Sequence, residues 1–327
     1  MDRIKLAFGV AAALLCAACA APSPQQAGPG AVKVTPLGSH DGEFCAQDRA
    51  LVFEDPDGTR ILYDAGNTVR GANDPRLGKI DAVLLTHVHG DHLGAGHAPA
   101  ANAGTCARPE TGVSAVPNSN TVNIAVAKKA RLMVGSDMNT FLAAKVRAAG
   151  GDPASVQVVR FGASGKIGGV KVATVPAVHS NGVSPDFLEK GLGDTMRANG
   201  LLAHVGDATG YVLTFSNGLV VYLSGDTGIT ADQDAVVRRH YKASLAVINI
   251  SDTFVTGPTE AAFVINELVK PASAIASHAN EAATERGRVV PNSRTDAFIK
   301  ATAVPVHVPR SGVTMAFDGG GRCTAGC

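Results

Sequence analysis

The chain has 327 residues, 45% hydrophobic and 17% charged, with 37 glycines and a formal net charge of +1. This is ordinary globular composition, with enough glycine for many tight turns in a loop-rich sheet protein. Lysine and arginine are scattered rather than clustered, which excludes a polyanion surface and with it nucleic acid as an expected partner.

Arg3 and Lys5 precede an uncharged apolar run, Leu6 to Ala21. The run suits the core and cleavage region of an export signal and is short for a membrane span. Residues 1–20 are therefore expected to be a signal peptide, with Ala18-Cys19-Ala20 supplying small residues for cleavage. Cys19 is alternatively the lipid-modified cysteine of a bacterial lipoprotein, although Cys16 stands where that pattern carries leucine. Residues 21–30, APSPQQAGPG, read as a flexible tether. Cys45, Cys106, Cys323 and Cys327 remain in the mature chain. An even number in an oxidising compartment favours disulfides. Cys323 with Cys327 can close a small C-terminal loop, and cross-pairing with Cys45 or Cys106 stays open. None has CxxC spacing, which disfavours metal ligation by cysteine.

Strand-like runs bounded by Gly, Asp and Pro fill the first third: Val32–Leu37, Leu51–Glu54, Arg60–Tyr63 and Ala82–Leu85. A helical pattern covers Met138–Ala149 and stops at Gly150-Gly151. Strand character returns at Val156–Phe161 and Val170–Val175. Tyr211–Phe215 and Leu219–Leu223 flank Ser216-Asn217-Gly218, a hairpin turn. Leu245–Ile250 reads as a buried strand, Thr259–Val269 as a helix introduced by Gly257-Pro258, and Ala274–Ser277 as a short strand. Val304–Val308 and Val313–Phe317 complete the series. No composition break marks a linker, so residues 31–327 are expected to form one domain.

Polar residues follow those strands in a pattern. His87, His89, Asp91 and His92, three histidines and an aspartate within six residues, follow the strand ending at Leu85; His179 follows Val170–Val175, Asp226 follows Leu219–Leu223, and His278 follows Ala274–Ser277. Loops at strand C-terminal ends can converge on one crevice held rigid by the sheets. Crowded histidines repel when protonated unless a metal ties them together. Imidazole and carboxylate suit zinc, and also iron or manganese. His87 and His89, two apart in an extended segment, point the same way, and Gly90 is expected to bend the backbone tightly toward Asp91 and His92.

The segment Thr86-His87-Val88-His89-Gly90-Asp91-His92 resembles the HxHxDH signature of the metallo-β-lactamase-fold hydrolases. Later elements agree in order: His179, Gly225-Asp226-Thr227, then His278. The resemblance covers almost the whole chain from Val32 and implies an α/β (α+β) fold, a four-layered αββα sandwich. It further implies two divalent metal ions, zinc being the expected identity. His87, His89 and His179 would hold one, Asp91, His92 and His278 the other, and Asp226 would bridge them. Asp64, in Asp64-Ala65-Gly66, matches the family residue that supports the histidine loop from behind. Two such ions can lower the pKa of a shared water and polarise a scissile bond, with Asp91 orienting the attack and protonating the leaving group.

Ser224-Gly225-Asp226-Thr227 and the helix start Gly257-Pro258-Thr259-Glu260 look most like the family's lactonase- and phosphodiesterase-like branch. That branch commonly has a tyrosine just after the last histidine. Here the sequence is His278-Ala279-Asn280-Glu281, and Asn280 is the candidate replacement donor. His40 lies in a loop that approaches the pocket in this family. Ser180–Gly210 is a candidate lid or pocket wall, whereas His97, His204 and His240 match no family position. The expected activity is hydrolysis of an ester, lactone or phosphodiester in a small-molecule substrate. The alternatives are a periplasmic β-lactamase and a metal-binding lipoprotein scaffold without turnover.

Overall fold

A computed structural model describes residues 30–327. The expected signal segment, residues 1–20, and all but the last residue of the tether lie outside the described residues. Among the described residues, no helix is long and apolar enough to cross a membrane.

The chain first lays down β1 (Val32–Pro36), β2 (Leu51–Glu54), β3 (Arg60–Tyr63), β4 (Ala82–Leu84), β5 (Arg131–Val134) and β6 (Val156–Val158). It then builds β7 (Ser164–Ile167), β8 (Val170–Pro176), β9 (Thr209–Thr214), β10 (Val220–Leu223), β11 (Leu245–Asn249), β12 (Ser273–Ser277) and β13 (Val306–His307). β14 (Met315–Phe317) and β15 (Cys323–Ala325) return to the first sheet. The first sheet runs β6-β5-β4-β3-β2-β1-β14-β15 and the second β7-β8-β9-β10-β11-β12-β13.

Strand alternation sorts the apolar residues into three layers. Between the sheets, Phe53, Ile61, Tyr63 and Leu84 meet Tyr211, Leu213, Val221, Leu223 and Val247. Their strand neighbours Val52, Leu62 and Val83 point outward, under helices α1 (Asn120–Lys128) and α2 (Met138–Ala148). On the opposite outer face, Val212, Tyr222, Ala246, Ile248 and Ala276 are covered by three helical segments. These are Gln233–Tyr241, the continuous Pro258–Phe263 and Val264–Val269, and Arg294–Ala301. The result is the expected αββα sandwich. Each fully buried large side chain contributes about 1.5–3 kcal/mol of transfer free energy, so the inter-sheet layer makes a rigid floor for loops at its edge.

Sequence reading missed β5, a four-residue run that pairs in parallel with both β4 and β6. It also missed α1, whose Ser119 cap accepts a hydrogen bond from Val122 N. Ser180–Gly210, the candidate lid or pocket wall, carries regular structure of its own. Gly182–Val183 pairs with Ala203–His204, Lys190–Ala198 is helical, and Val183 and Phe187 are buried in the outer core of the first sheet. The four cysteines form Cys45–Cys106 and Cys323–Cys327. The first closes a loop long enough to stabilise the fold by ~4 kcal/mol on the chain-entropy argument.

Candidate metal centre

β4 delivers the chain to the site. Thr86, His87 and Val88 follow in extended backbone, with Val88 buried in the outer core, so the alternate residues His87 and His89 face the opposite side. A single helical turn, Gly90–Leu93, then carries Asp91 and His92 and ends at Gly94 in left-handed backbone, φ +82°. The bend expected at Gly90 therefore falls at Gly94. A Cβ there would meet Asn120 Cβ at 2.5 Å and Gly66 O at 2.7 Å, whereas Gly90 starts the helical turn without a positive φ.

Three other strand ends reach the same place. Donor atoms of His87, His89 and His179 lie within 4.8 Å of one another, and so do those of Asp91, His92 and His278. A third grouping, His87, His92 and Asp226, joins the two. Asp226 Oδ2 lies 3.1 Å from His278 Nε2, 3.7 Å from His179 Nε2 and 3.9 Å from His87 Nε2, while Oδ1 is 3.3 Å from His92 Nε2. The structure thus brings all seven expected ligand residues together, with the Asp226 carboxylate facing both histidine sets.

The polar atoms at the centre fit a metal. Among the described residues, His87 Nε2, His92 Nε2, Asp226 Oδ1 and both ring nitrogens of His278 are buried without a hydrogen-bond partner. Buried polar atoms seldom stay unpaired. These approach one another closely but without hydrogen-bond alignment, and ring nitrogens of His89 and His179 face each other at 3.2 Å. A borderline-soft dication satisfies such nitrogen and carboxylate donors together. Among the described residues His307, Cys323 and Cys327 also cluster, but their sulfurs are used in a disulfide.

A supporting shell orients the candidate ligands His87 and His92. Asp64, fully buried, accepts hydrogen bonds from Thr86 N at 2.9 Å and Thr86 Oγ1 at 2.8 Å, and it faces His92 Nδ1 at 2.8 Å. Thr86 Oγ1 is 3.0 Å from His87 Nδ1, so the two Nδ1–H groups turn inward to Thr86 and Asp64 and leave both Nε2 atoms for metal. Asn181 Oδ1 accepts from Val88 N between the paired histidines. Tyr211 donates to Leu85 O at 2.6 Å, and Tyr63 Oη accepts from Gly225 N at 3.1 Å, so two tyrosines bolt the histidine and aspartate loops across the sheets. Gly225, at φ +60°, is required there because a Cβ would press on Thr209 O and Thr86 Cβ at 3.0 Å. Asp64, His278 and Asn280 all adopt positive φ, a costly conformation that recurs at functional sites.

Arg49 is the largest feature that sequence reading missed. Its buried guanidinium donates to Asp91 Oδ2 from Nη2 at 3.1 Å and Nε at 3.3 Å, and to Asn280 Oδ1. The only local signal is the charged pair Asp48-Arg49 just before a strand. Asn280 therefore belongs to the site's surroundings. His40 does not join it: its ring contacts are Ser39 Oγ and Gly104 O, because its loop turns toward the Gly104 hairpin. His97 bonds Ala98 O, His204 pairs with Gly182 in a short ladder, and His240 packs on Tyr241.

Burial, reinforced for His87 by the His92 charge, holds the His87, His89 and His179 values below the usual histidine range. Burial acts the same way on His92, but the carboxylates of Asp226, Asp91 and Asp64 outweigh it and raise its value well above that range. Asp91 and Asp226 stay ionised because nearby histidines, and Arg49 for Asp91, overcome burial. In metal-free protein the three lowered site histidines, together with His307, which burial also lowers, take up protons on unfolding as pH falls through about 6.5 and so remove stability there, whereas His92, and Asp48, whose carboxyl burial pushes up to about 6, act in the opposite sense. The melting temperature of metal-free protein is therefore expected to fall between pH 7 and 5. A flat or rising profile would contradict this balance.

The profile of the β-lactamase superfamily domain matches residues 59–279, more than half of the chain and a range that includes all seven clustered residues. The chain belongs to the β-lactamase superfamily. A metal-dependent hydrolase of the UPF0173 group from Cupriavidus taiwanensis is 27% identical, with 93% of this chain and 97% of that protein covered. Solved structures share the architecture. A metallo hydrolase from Ignicoccus hospitalis superposes with a TM-score of 0.57 at 19% identity, covering 88% of this chain and 99% of that one. The metallo-β-lactamase fold protein YhfI of Bacillus subtilis does so with a TM-score of 0.54 at 14% identity over the same shares. The superfamily resemblance read from the HxHxDH segment therefore holds for the family and the fold.

Proposed function

We propose that this superfamily member is an exported, binuclear metal-dependent hydrolase that cleaves an ester, lactone or phosphodiester bond in a small-molecule substrate. The observation that carries the reading is the pair of three-ligand sets with the Asp226 carboxylate facing both. Two divalent ions there, zinc by donor chemistry, would supply Lewis acidity and lower the pKa of a water toward neutrality. The chain's own groups do the rest. Asp91 has a side chain 35% exposed against 5% for Asp226, and its carboxylate is the one placed to orient a nucleophile and pass a proton to the leaving group. Asn280 presents its oxygen to Arg49, which leaves the amide N–H groups to donate to developing negative charge.

Exposed apolar side chains near the strand ends that carry the candidate ligands would suit a substrate with an apolar part. Val178 is 63% exposed beside His179, and Ile229 is 49% exposed three residues after Asp226. Phe254, 72% exposed, rides a loop tied to the Asp226 turn through Asn249 and Thr227 O. The test is a panel of lactones, aryl phosphodiesters, alkyl esters and β-lactams, with metal content measured on the same sample. Chelator-sensitive turnover of an ester, lactone or phosphodiester is expected. A dominant β-lactam activity would favour a periplasmic β-lactamase, and a metal-loaded protein inert on every substrate would favour a binding scaffold.

Export rests on the apolar run after Arg3 and Lys5, and the two disulfides are at home in an oxidising compartment. Mature protein is expected outside the cytoplasm without its first eighteen to twenty residues. If Cys19 carries the lipid anchor, Cys19→Ser should move the protein from the membrane to the soluble fraction. Identical soluble processing of both forms would leave an ordinary secretory signal.

A further inference from the structure

The two ligand sets have unequal electrostatic surroundings. Beyond the seven clustered residues, the side-chain hydrogen-bond partners of His87, His89 and His179 are neutral, Thr86 Oγ1 and Ser180 Oγ, and the Asp226 carboxylate faces this set as it faces the other. In the other set, the oxygen that approaches His278 Nε2 at 3.3 Å and His92 Nε2 at 3.7 Å is Asp91 Oδ2. That same oxygen accepts both Nε and Nη2 of Arg49. The carboxylate arm aimed at the second position is thus shared with a fixed cation.

Arg49 cannot swing away cheaply. Its side chain is 3% exposed. Nη1 donates to Ala46 O and Asp48 O at 3.2 Å, and Nη2 also reaches Asn280 Oδ1, so every guanidinium edge is engaged. The loop that carries it is equally fixed. Asp48 accepts from Ser39 N and Cys45 N, Ala46 N donates to Cys106 O, and the Cys45–Cys106 disulfide closes the turn. Holding Asp91 in one rotamer favours metal binding slightly, since few bonds are frozen. A unit positive charge beside a dication in a buried site opposes it far more strongly.

We infer that Arg49 is a positioning residue that makes the two metal positions unequal, with the Asp91–His92–His278 set binding its ion more weakly than the His87–His89–His179 set. This rests on the proposed binuclear reading. The Asp91 position then fills last and exchanges first, while the trihistidine position holds its ion when metal is scarce.

The test is a zinc titration of metal-free, full-length mature protein against a chromophoric chelator, repeated with cobalt to read each site's absorption spectrum. Wild type should show two binding classes separated by about tenfold or more, and His278→Ala should remove the weaker class alone. Arg49→Gln should strengthen the weaker class by roughly 10–100-fold and leave the tighter one unchanged, which also reports that the loop has folded. Arg49→Lys, which keeps the charge, should retain the weak class. Two ions of equal affinity in wild type would overturn the inference without any variant, as would a weaker class that Arg49→Gln fails to strengthen or Arg49→Lys strengthens equally. Uptake of at most one ion by wild type at saturating metal would instead sink the binuclear reading itself.

Discussion

Asp226→Asn is expected to leave at most one tightly held ion per chain, with turnover falling further than the roughly 10–100-fold typical of an outer hydrogen-bonding partner. The side chain keeps its shape but loses the negative charge that faces both sets. One Asp226 oxygen lies within 3.9 Å of ring nitrogens from His87, His179 and His278, and the other within 3.3 Å of His92. Without that charge two dications repel with less compensation, and the raised His92 value loses its leading carboxylate. Metal analysis and turnover on the same preparation check the point. Two retained ions with near-normal rates would show that Asp226 does not bridge.

Asp64→Asn should behave differently, because Asp64 acts on the ligands rather than on the ions. It accepts from Thr86 N and Thr86 Oγ1 and faces His92 Nδ1, so an amide NH2 placed there confronts a hydrogen-bond donor whichever way it turns. The expected loss is about 1–3 kcal/mol of stability for a buried unsatisfied donor. Metal affinity or activity should fall on the order of 10–100-fold, with both ions still bound at saturating metal. Denaturant unfolding beside a metal titration separates the two effects. Unchanged stability together with unchanged affinity would remove Asp64 from the supporting shell.

The contrast between these residues shows what local sequence carries. The histidine–aspartate motif needs only six consecutive residues in an extended segment and one helical turn, so its chemistry is visible without a fold. Asp64 and Asn280 were reached through family resemblance, and Arg49 through neither route. Its partners Asp91 and Asn280 lie 42 and 231 positions away. His40, by contrast, stands in a loop expected near the pocket, and its own hydrogen bonds carry it to Gly104 instead.

Strand order shows the same division. Apolar runs bounded by Gly, Asp and Pro, such as Leu51–Glu54 and Arg60–Tyr63, reveal themselves locally because they are buried on both faces, and their limits agree with the sequence reading to the residue. The four residues of β5 are too few to show a period, and they become a strand because β4 and β6 flank them. By itself, then, the sequence determined the strand-forming runs, the candidate donor residues and their order along the chain, because propensity and donor chemistry act over a few residues. Only the tertiary structure decided that Asp226 faces both histidine sets, that Thr86 and Asp64 select the tautomers, and that Arg49 shares the Asp91 carboxylate. Those relations join groups far apart in the chain, and side-chain interactions that depend on distances of a few ångströms do not exist until the two sheets have packed.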